Sequence, residues 1–381
     1  MEYQGNTKRV TRRFRSRNIG ILFLVFFFIG TFILGYVFFL QKEDMESIPR
    51  LEYVSIEKKD TVFLSEVVVI PKLDTYLYDK KMLQLANTPV LKIATTSSTT
   101  VLLTDIKQKL WPVKTAYPNY GALLPFNRIV AYYGNFYSPR MGILGEYAPD
   151  VLIAKLSADV KVWENADPTT PVIPAIHYIA AVAQVDSGID GKYLYRMPKT
   201  QVEKALTLAK QANAIVFLDL QIGKSTVLDE VIAIKEYLMF PEVHVALDPE
   251  FSMKNDKKPG TVIGTMDATD INDAIEILSK VVRDNNLPPK ILVIHRFTKD
   301  SLTNYQNIKI VPEVQVVIDM DGWGPPETKI VTYQNIIYPE PVQFTGFKIF
   351  YKNDLLKPST RLITPEEILK LEPQPSYIQY Q

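Results

Sequence analysis

The sequence of 381 residues contains no cysteine. This excludes disulfides, thiolate metal sites, a cysteine nucleophile and the lipidated cysteine of a lipoprotein, so packing alone must hold the fold. An excess of either charge is also missing. Lys and Arg number 43 against 42 Asp and Glu, which removes the strongly basic face expected of a nucleic-acid-binding protein. Phosphate-cradling glycine motifs are lacking too. Gly223-Lys224-Ser225-Thr226 resembles the end of a P-loop, but the position of its first glycine holds Leu218, so Ser225 or Thr226 reads as a helix N-cap instead. There is no Gly-x-Ser-x-Gly elbow and no HxH, HExxH or Asp-x-Asp-x-Asp-Gly spacing, and no resident cofactor or metal is expected from local motifs.

What is present begins with a long apolar run. Ile19 to Leu40 carries no charge, and roughly 20 such residues in a helix span a hydrocarbon core of about 30 Å. Lys8, Arg9, Arg12, Arg13, Arg15 and Arg17 precede it, whereas Glu43, Asp44 and Glu46 follow with only Lys42 opposing. The positive-inside rule therefore predicts a single-pass anchor with a cytoplasmic N-terminus and the rest of the chain extracytoplasmic. The run is too long for a signal-peptide core and ends in no small-residue cleavage site. The expected organisation is a basic tail at 1–18, a transmembrane helix at 19–40, an extracytoplasmic stalk with small β elements at 41–127, and a barrel domain with a C-terminal extension at 128–381. Within the stalk, a helix is expected at Tyr78 to Ala86 and an extended run at Val67 to Ile70. Trp111, Tyr117 and Tyr120, set among prolines, read as packing residues rather than a binding surface.

From Arg128 onward, apolar runs alternate with amphipathic stretches. Strands are expected at Ile129 to Tyr133, Val172 to Ala180, Ala214 to Leu220, Val243 to Leu247, Ile291 to Ile294, Val314 to Met320 and Phe344 to Phe350. Helices are expected at Pro149 to Trp163, Pro198 to Ala212, Ser225 to Met239 and Ala268 to Asp284, with weaker ones after Thr298 and Pro326. Such alternation means a parallel sheet covered by helices, and its size and repeat predict an α/β fold of the (β/α)8 TIM-barrel type. An eighth strand is not evident; it would come from the stalk, from Thr261 to Met266, or be absent. The alternative, an open doubly wound sheet, would carry a Gly-rich first turn, and Gly134-Asn135-Phe136-Tyr137 is not one.

A barrel collects its functional groups where strands end. The strand ends here hold Tyr133 and Asn135, His177, Asp219 and Gln221, Asp248 and Glu250, His295 and Arg296, Asp319, Asp321 and Trp323, then Lys348 and Tyr351. His244, at a strand start, reads as structural. Asp248 and Glu250 share one side if the strand stays extended, and paired carboxylates are what glycoside hydrolysis requires. Converging acids raise one another's pKa; neutralisation by Arg296 and Lys348 would instead make a structural ring. Tyr133, Phe136, Tyr137, Trp323 and Tyr351 offer aromatic platforms suited to sugar rings. His177 and His295 with the acidic rim supply donors for a divalent ion.

The segments IVAYYGNFYSPRMGILGEY (Ile129 to Tyr147), FLDLQIGKST (Phe217 to Thr226), HVALDPEF (His244 to Phe251) and VVIDMDGWG (Val316 to Gly324) resemble a family of bacterial exported lipoproteins and membrane-anchored proteins with a glycosidase-like barrel. The resemblance implies the fold and the location and brings no catalytic assignment. Common retaining glycosidase barrels place a nucleophilic Glu at the end of strand seven, where this chain has Phe347-Lys348-Ile349-Phe350-Tyr351. The combined expectation is a membrane-anchored barrel binding a cell-envelope or environmental glycan and, if active, hydrolysing it. Asp248 or Glu250 would be the acid, with Asp219 or Asp319 as base. Tyr133, Asn135, His177, Gln221, His295, Arg296, Asp321, Trp323, Lys348 and Tyr351 would bind substrate. The alternatives are a catalytically silent glycan- or envelope-binding protein and a metal-dependent hydrolase.

Overall fold

A computed structural model describes residues 73–87, 110–254 and 256–381. The expected transmembrane helix and the run at Val67 to Ile70 lie outside them, and among the described residues no helix is long and apolar enough to cross a membrane. The strands are β1 (Arg128–Gly134), β2 (Val172–Ala183), β3 (Leu194–Arg196), β4 (Ile215–Leu220), β5 (Val243–Leu247), β6 (Met266–Asp267), β7 (Lys290–Arg296), β8 (Leu302–Thr303), β9 (Val314–Met320), β10 (Phe344–Ile349) and β11 (Tyr377–Tyr380). The helices are α1 (Thr75–Ala86), α2 (Pro149–Ala166), α3 (Lys199–Gln211), α4 (Val227–Ala233), α5 (Ala268–Asn285), α6 (Pro326–Thr332) and α7 (Pro365–Ile368).

Eight strands run in the order β1-β2-β4-β5-β7-β9-β10-β11 and close on β1, every pairing parallel. This is a closed (β/α)8-type barrel. The eighth strand corrects the sequence reading. It is neither in the stalk nor at Thr261 to Met266 but at Tyr377–Tyr380, so the supposed C-terminal extension closes the barrel. There Ile129 registers with Tyr377 on one side of β11, and Gly346 with Tyr377 on the other. The helical cover is uneven. Between β7 and β9 the expected helix is replaced by β8, paired to β6, and a single 3-10 turn at Tyr305–Asn307.

Each barrel strand is buried on both faces, which is why the strands read as continuous apolar runs. Outward residues such as Val130, Ile176, Val216, Val245, Leu292 and Val316 pack with the helices in one cluster. Inward residues form a second cluster: Ile129, Ala131, Ala175, Phe217, Ala246, Ile291, Val293, Val317, Phe344 and Tyr377. Tyr78 and Met82 of α1 and Leu124 belong to this inner cluster, so part of the expected stalk packs onto the end where strands begin. Gln315 reinforces the contact by accepting from Leu124 N (3.2 Å) and donating to Leu124 O (2.7 Å). Trp111 is buried, its indole donating to Tyr338 O, whereas Tyr120 is half exposed. Thr226 caps α4 by accepting from Asp229 N, as the failed P-loop reading implied.

With its apolar lumen filled at one end, the barrel can admit polar groups only toward the other. If β11 is a true barrel strand, Ile378→Ala, which truncates a fully buried side chain, will cost about 2–5 kcal/mol in urea unfolding. A loss within about 0.5 kcal/mol, the range of a surface substitution, would contradict that role.

Candidate functional site

Above the apolar layer, alternate residues continue inward and become polar. Two steps along from the inner cluster stand Tyr133 on β1, His177 on β2, Asp219 on β4, Asp248 just beyond β5, His295 on β7, Asp319 on β9 and Gln379 on β11, with Lys348 on β10 four steps beyond Phe344. Neighbouring registers bring Tyr133 beside His177, His295 beside Asp319, and Lys348 beside Gln379. All eight are buried.

Asp219 lies at the centre. Its Oδ2 is 3.5 Å from His177 Nε2 and 3.6 Å from His295 Nε2. Neither contact is a hydrogen bond, and both Asp219 oxygens and both Nε2 atoms are buried without a hydrogen-bond partner. The far nitrogen of each ring faces other polar groups, that of His295 without a hydrogen bond. His177 Nδ1 lies 2.5 Å from the Tyr377 hydroxyl and 3.0 Å from the Gln379 amide nitrogen, while His295 Nδ1 lies 3.5 Å from Asp319 and 3.2 Å from Asp321. Lys348 Nζ pairs with Asp321 at 3.0 Å and stands 4.0 Å from the Tyr133 ring centroid. Gly346 makes room for Asp319, since a Cβ there would come within 2.5 Å of Asp319 Oδ1.

The acids divide into two states. Burial would raise Asp219, but the two histidines outweigh it and hold the carboxyl well below its usual range. Burial likewise opposes ionisation of Asp321, and Lys348 and His295 overcome it. Asp248 has no ion-pair partner, and burial, with the charges of Asp219 and Asp321, outweighs His295 and Lys348 and pushes it up to about 7. Burial and the neighbouring Asp248 and Asp321 push Glu250 up to about 8. Burial also raises Asp319. The histidines split too: burial lowers His177 to about 4, whereas for His295 the surrounding aspartates overcome burial and raise it well above its ordinary value. Groups pushed apart in this way mark acid and base roles.

Several expected rim residues are not brought together. Arg296 alternates with His295 and points outward, donating to the carbonyls of Lys299 and Thr298 and pairing with Glu340. It therefore neutralises none of the site acids. Tyr351 leaves the strand end to bond Asp159 of α2 and stack on Tyr380. Asn135 is spent within its loop, donating to Ile179 O and accepting from Tyr137 N. Trp323 is 56% exposed on the loop after β9. Asp248 and Glu250 do not continue an extended strand. Pro249–Phe251 is a 3-10 turn whose first N–H groups Asp248 caps by accepting from Glu250 N, while Gln221 donates to its other oxygen at 3.4 Å. Glu250 is thus half-buried above Asp248. His244 sits lower, accepting from Ile291 N. Gly346, Tyr377 and Gln379 were missed; a glycine inside a buried strand is the one local signal that pointed there.

His177, Asp219 and His295 offer ligand atoms that lie within 4.8 Å of one another, so they are the residues able to hold a metal ion among those described.

No protein-family model and no curated protein matches the chain. Similar solved structures include the cellulase Cel5C_n, at 13% identity and TM-score 0.34, over 58% of this chain and 65% of the cellulase. Bacillus subtilis mannanase man26 is 13% identical at TM-score 0.34, over 67% of this chain and 79% of the mannanase. A GH18 chitinase from Pseudoalteromonas aurantia is 10% identical at TM-score 0.33, over 67% of this chain and 94% of the chitinase. These values are too low to transfer a residue's role.

The raised carboxyls give a pH dependence of definite sign. The folded chain keeps Asp248 and Glu250 protonated at pH values where the unfolded chain has lost those protons. Stability from these groups is therefore complete below pH about 4 and declines as pH rises toward 7 and 8. The unfolding midpoint should fall between pH 5 and 8, and fall less in the Asp248→Asn, Glu250→Gln double variant. Parallel profiles for the two proteins would contradict the assignment.

Proposed function

We propose that the chain is a membrane-anchored, extracytoplasmic hydrolase that acts on a glycan of the cell envelope or environment at the polar mouth of its barrel. The observation that carries this reading is the gathering of Asp248, Glu250 and Asp321 where the barrel strands end, with burial pushing the first two up and Lys348 overcoming burial to hold the third down. Glycoside hydrolysis needs one acid to protonate the leaving oxygen and one carboxylate to act as base or nucleophile. Glu250 is the acid in this reading, because it is the partly exposed member of the protonated pair. Asp321 is the counterpart, ionised and partly buried next to Lys348, and it takes the proton of the attacking water. Asp219 and Asp319, first expected as bases, have no exposed surface and sit beneath.

Apolar side chains on the loops that follow the strands support a sugar-binding mouth. Tyr137, Trp323, Leu355 and Leu356 are exposed there, as is Tyr195 on β3, and aromatic faces stack on the apolar faces of sugar rings. The extracytoplasmic location is supported by the apolar run Ile19 to Leu40 and its basic N-terminal flank. Pairing of every acid to Arg296 or Lys348 would favour the silent-binder alternative. Among the described residues only Asp321 of the five acids has a Lys or Arg partner, which favours the active reading.

The test is release of reducing ends from envelope polysaccharides by the full-length chain in detergent. Glu250→Gln should lower kcat about 100-fold or more with KM little changed, whereas Trp323→Ala should raise KM and spare kcat. Hydrolysis unaffected by both Glu250→Gln and Asp248→Asn would overturn the assignment, and binding without turnover would establish the silent alternative.

A further inference from the structure

Asp219 poses a problem that acid–base chemistry at the mouth does not use or solve. A fully buried carboxylate has both oxygens without a hydrogen bond, and two imidazole nitrogens, equally without partners, face one of those oxygens at 3.5 and 3.6 Å. Buried polar atoms left unpaired cost about 1–3 kcal/mol each, more for a charged group, and natural proteins seldom leave four of them together.

We propose that His177 Nε2, His295 Nε2 and a carboxylate oxygen of Asp219 form a binding site for one divalent metal ion of the zinc type. Bond lengths of about 2.1 Å at tetrahedral angles set ligand atoms about 3.4 Å apart, while octahedral angles set them about 3.0 Å apart. The observed 3.5 and 3.6 Å spacings from Asp219 to the two histidines lie near the tetrahedral value, and all three ligand atoms lie within 4.8 Å of one another. The two spacings are too long for direct hydrogen bonds and suited to an ion between the atoms. Two imidazoles and one carboxylate are a donor set that zinc accepts, and hard oxygen-seeking ions such as Mg2+ and Ca2+ do not.

The second layer points the same way. A ligating imidazole presents one nitrogen to the metal and gives its other N–H to an oxygen that fixes the ring. Here His177 Nδ1 faces the Tyr377 hydroxyl and the Gln379 side-chain amide, and His295 Nδ1 faces the Asp319 and Asp321 carboxylates at 3.5 and 3.2 Å without a hydrogen bond. The three donors come from β2, β4 and β7, so no sequence motif could announce them. Three protein ligands leave a fourth position for water or substrate, as in catalytic rather than purely structural zinc sites.

The experiment is metal titration of the untagged full-length chain in detergent after stripping with a chelator. Binding is read by competition for Zn2+ and by the visible absorption of a tetrahedral Co2+ centre, with near-UV circular dichroism reporting the fold. The chain has three histidines and no cysteine, which makes the assignment clean. One ion per chain is expected, and His177→Gln, Asp219→Asn and His295→Gln should each weaken binding about 100-fold or more. Tyr377→Phe, which removes only the hydroxyl facing His177, should weaken it about tenfold; His244→Gln should leave it unchanged. A wild-type chain that binds no stoichiometric ion, or folded ligand variants that bind as the wild type does, overturns the proposal. The proposal does not depend on the glycan reading, because the titration needs no substrate and each can fail without the other.

Discussion

The rest of the site depends on a carboxylate with no exposed surface, Asp219, set between two histidines in the lumen of a closed barrel. Removing a charge from water is costly, and it is tolerated only where opposing charge or a metal compensates. That requirement fixes its neighbours. Asp319 and Asp321 face the far nitrogen of His295, His177 is held by Tyr377 and Gln379, and Lys348 offsets Asp321. Asp248 lacks a cation partner, so it and Glu250 above it respond to the same field by holding their protons.

Barrel closure makes this layer possible. The inward cluster of Ile129, Phe217, Ile291, Val317 and Phe344, sealed by α1 and by Leu124, supplies the apolar packing at one end. The polar layer occupies the other end, where the loops are free to vary and to carry exposed aromatics. Such a division is how barrels separate stability from chemistry. It also places the expected stalk residues Tyr78, Met82 and Trp111 in the folded unit rather than in a spacer.

Most of the barrel was legible because its strands are long and buried on both faces. Seven of them, with α2, α3 and α5, fall within a few residues of their expected positions. β11 was hidden because Tyr377–Tyr380 is short, mixes two tyrosines with Ile378 and Gln379, and lies behind Pro373 and Pro375, which reads as a tail. The acids and histidines were legible as strand ends, but their partners were not. Period-two alternation separates His295 from Arg296, so only one of two adjacent residues could enter the lumen. Pro249 ended the extended geometry that would have aligned Asp248 with Glu250, and Tyr351 and Trp323 lie past the strands, where the pleat no longer sets direction. The three potential metal ligands lie 42 and 76 residues apart in sequence, as their numbers 177, 219 and 295 show, beyond any local motif.

The central claim is that this polar layer is retained for function at a cost to stability. The most direct test is urea unfolding, in chelator, of a chain in which His177, Asp219 and His295 are replaced together by Leu, Val and Leu. A well-packed apolar substitute for a buried charge cluster is often neutral or more stable by about 1–4 kcal/mol, and that is the expected result. A loss of several kcal/mol would show that the layer holds the barrel together and would contradict the account.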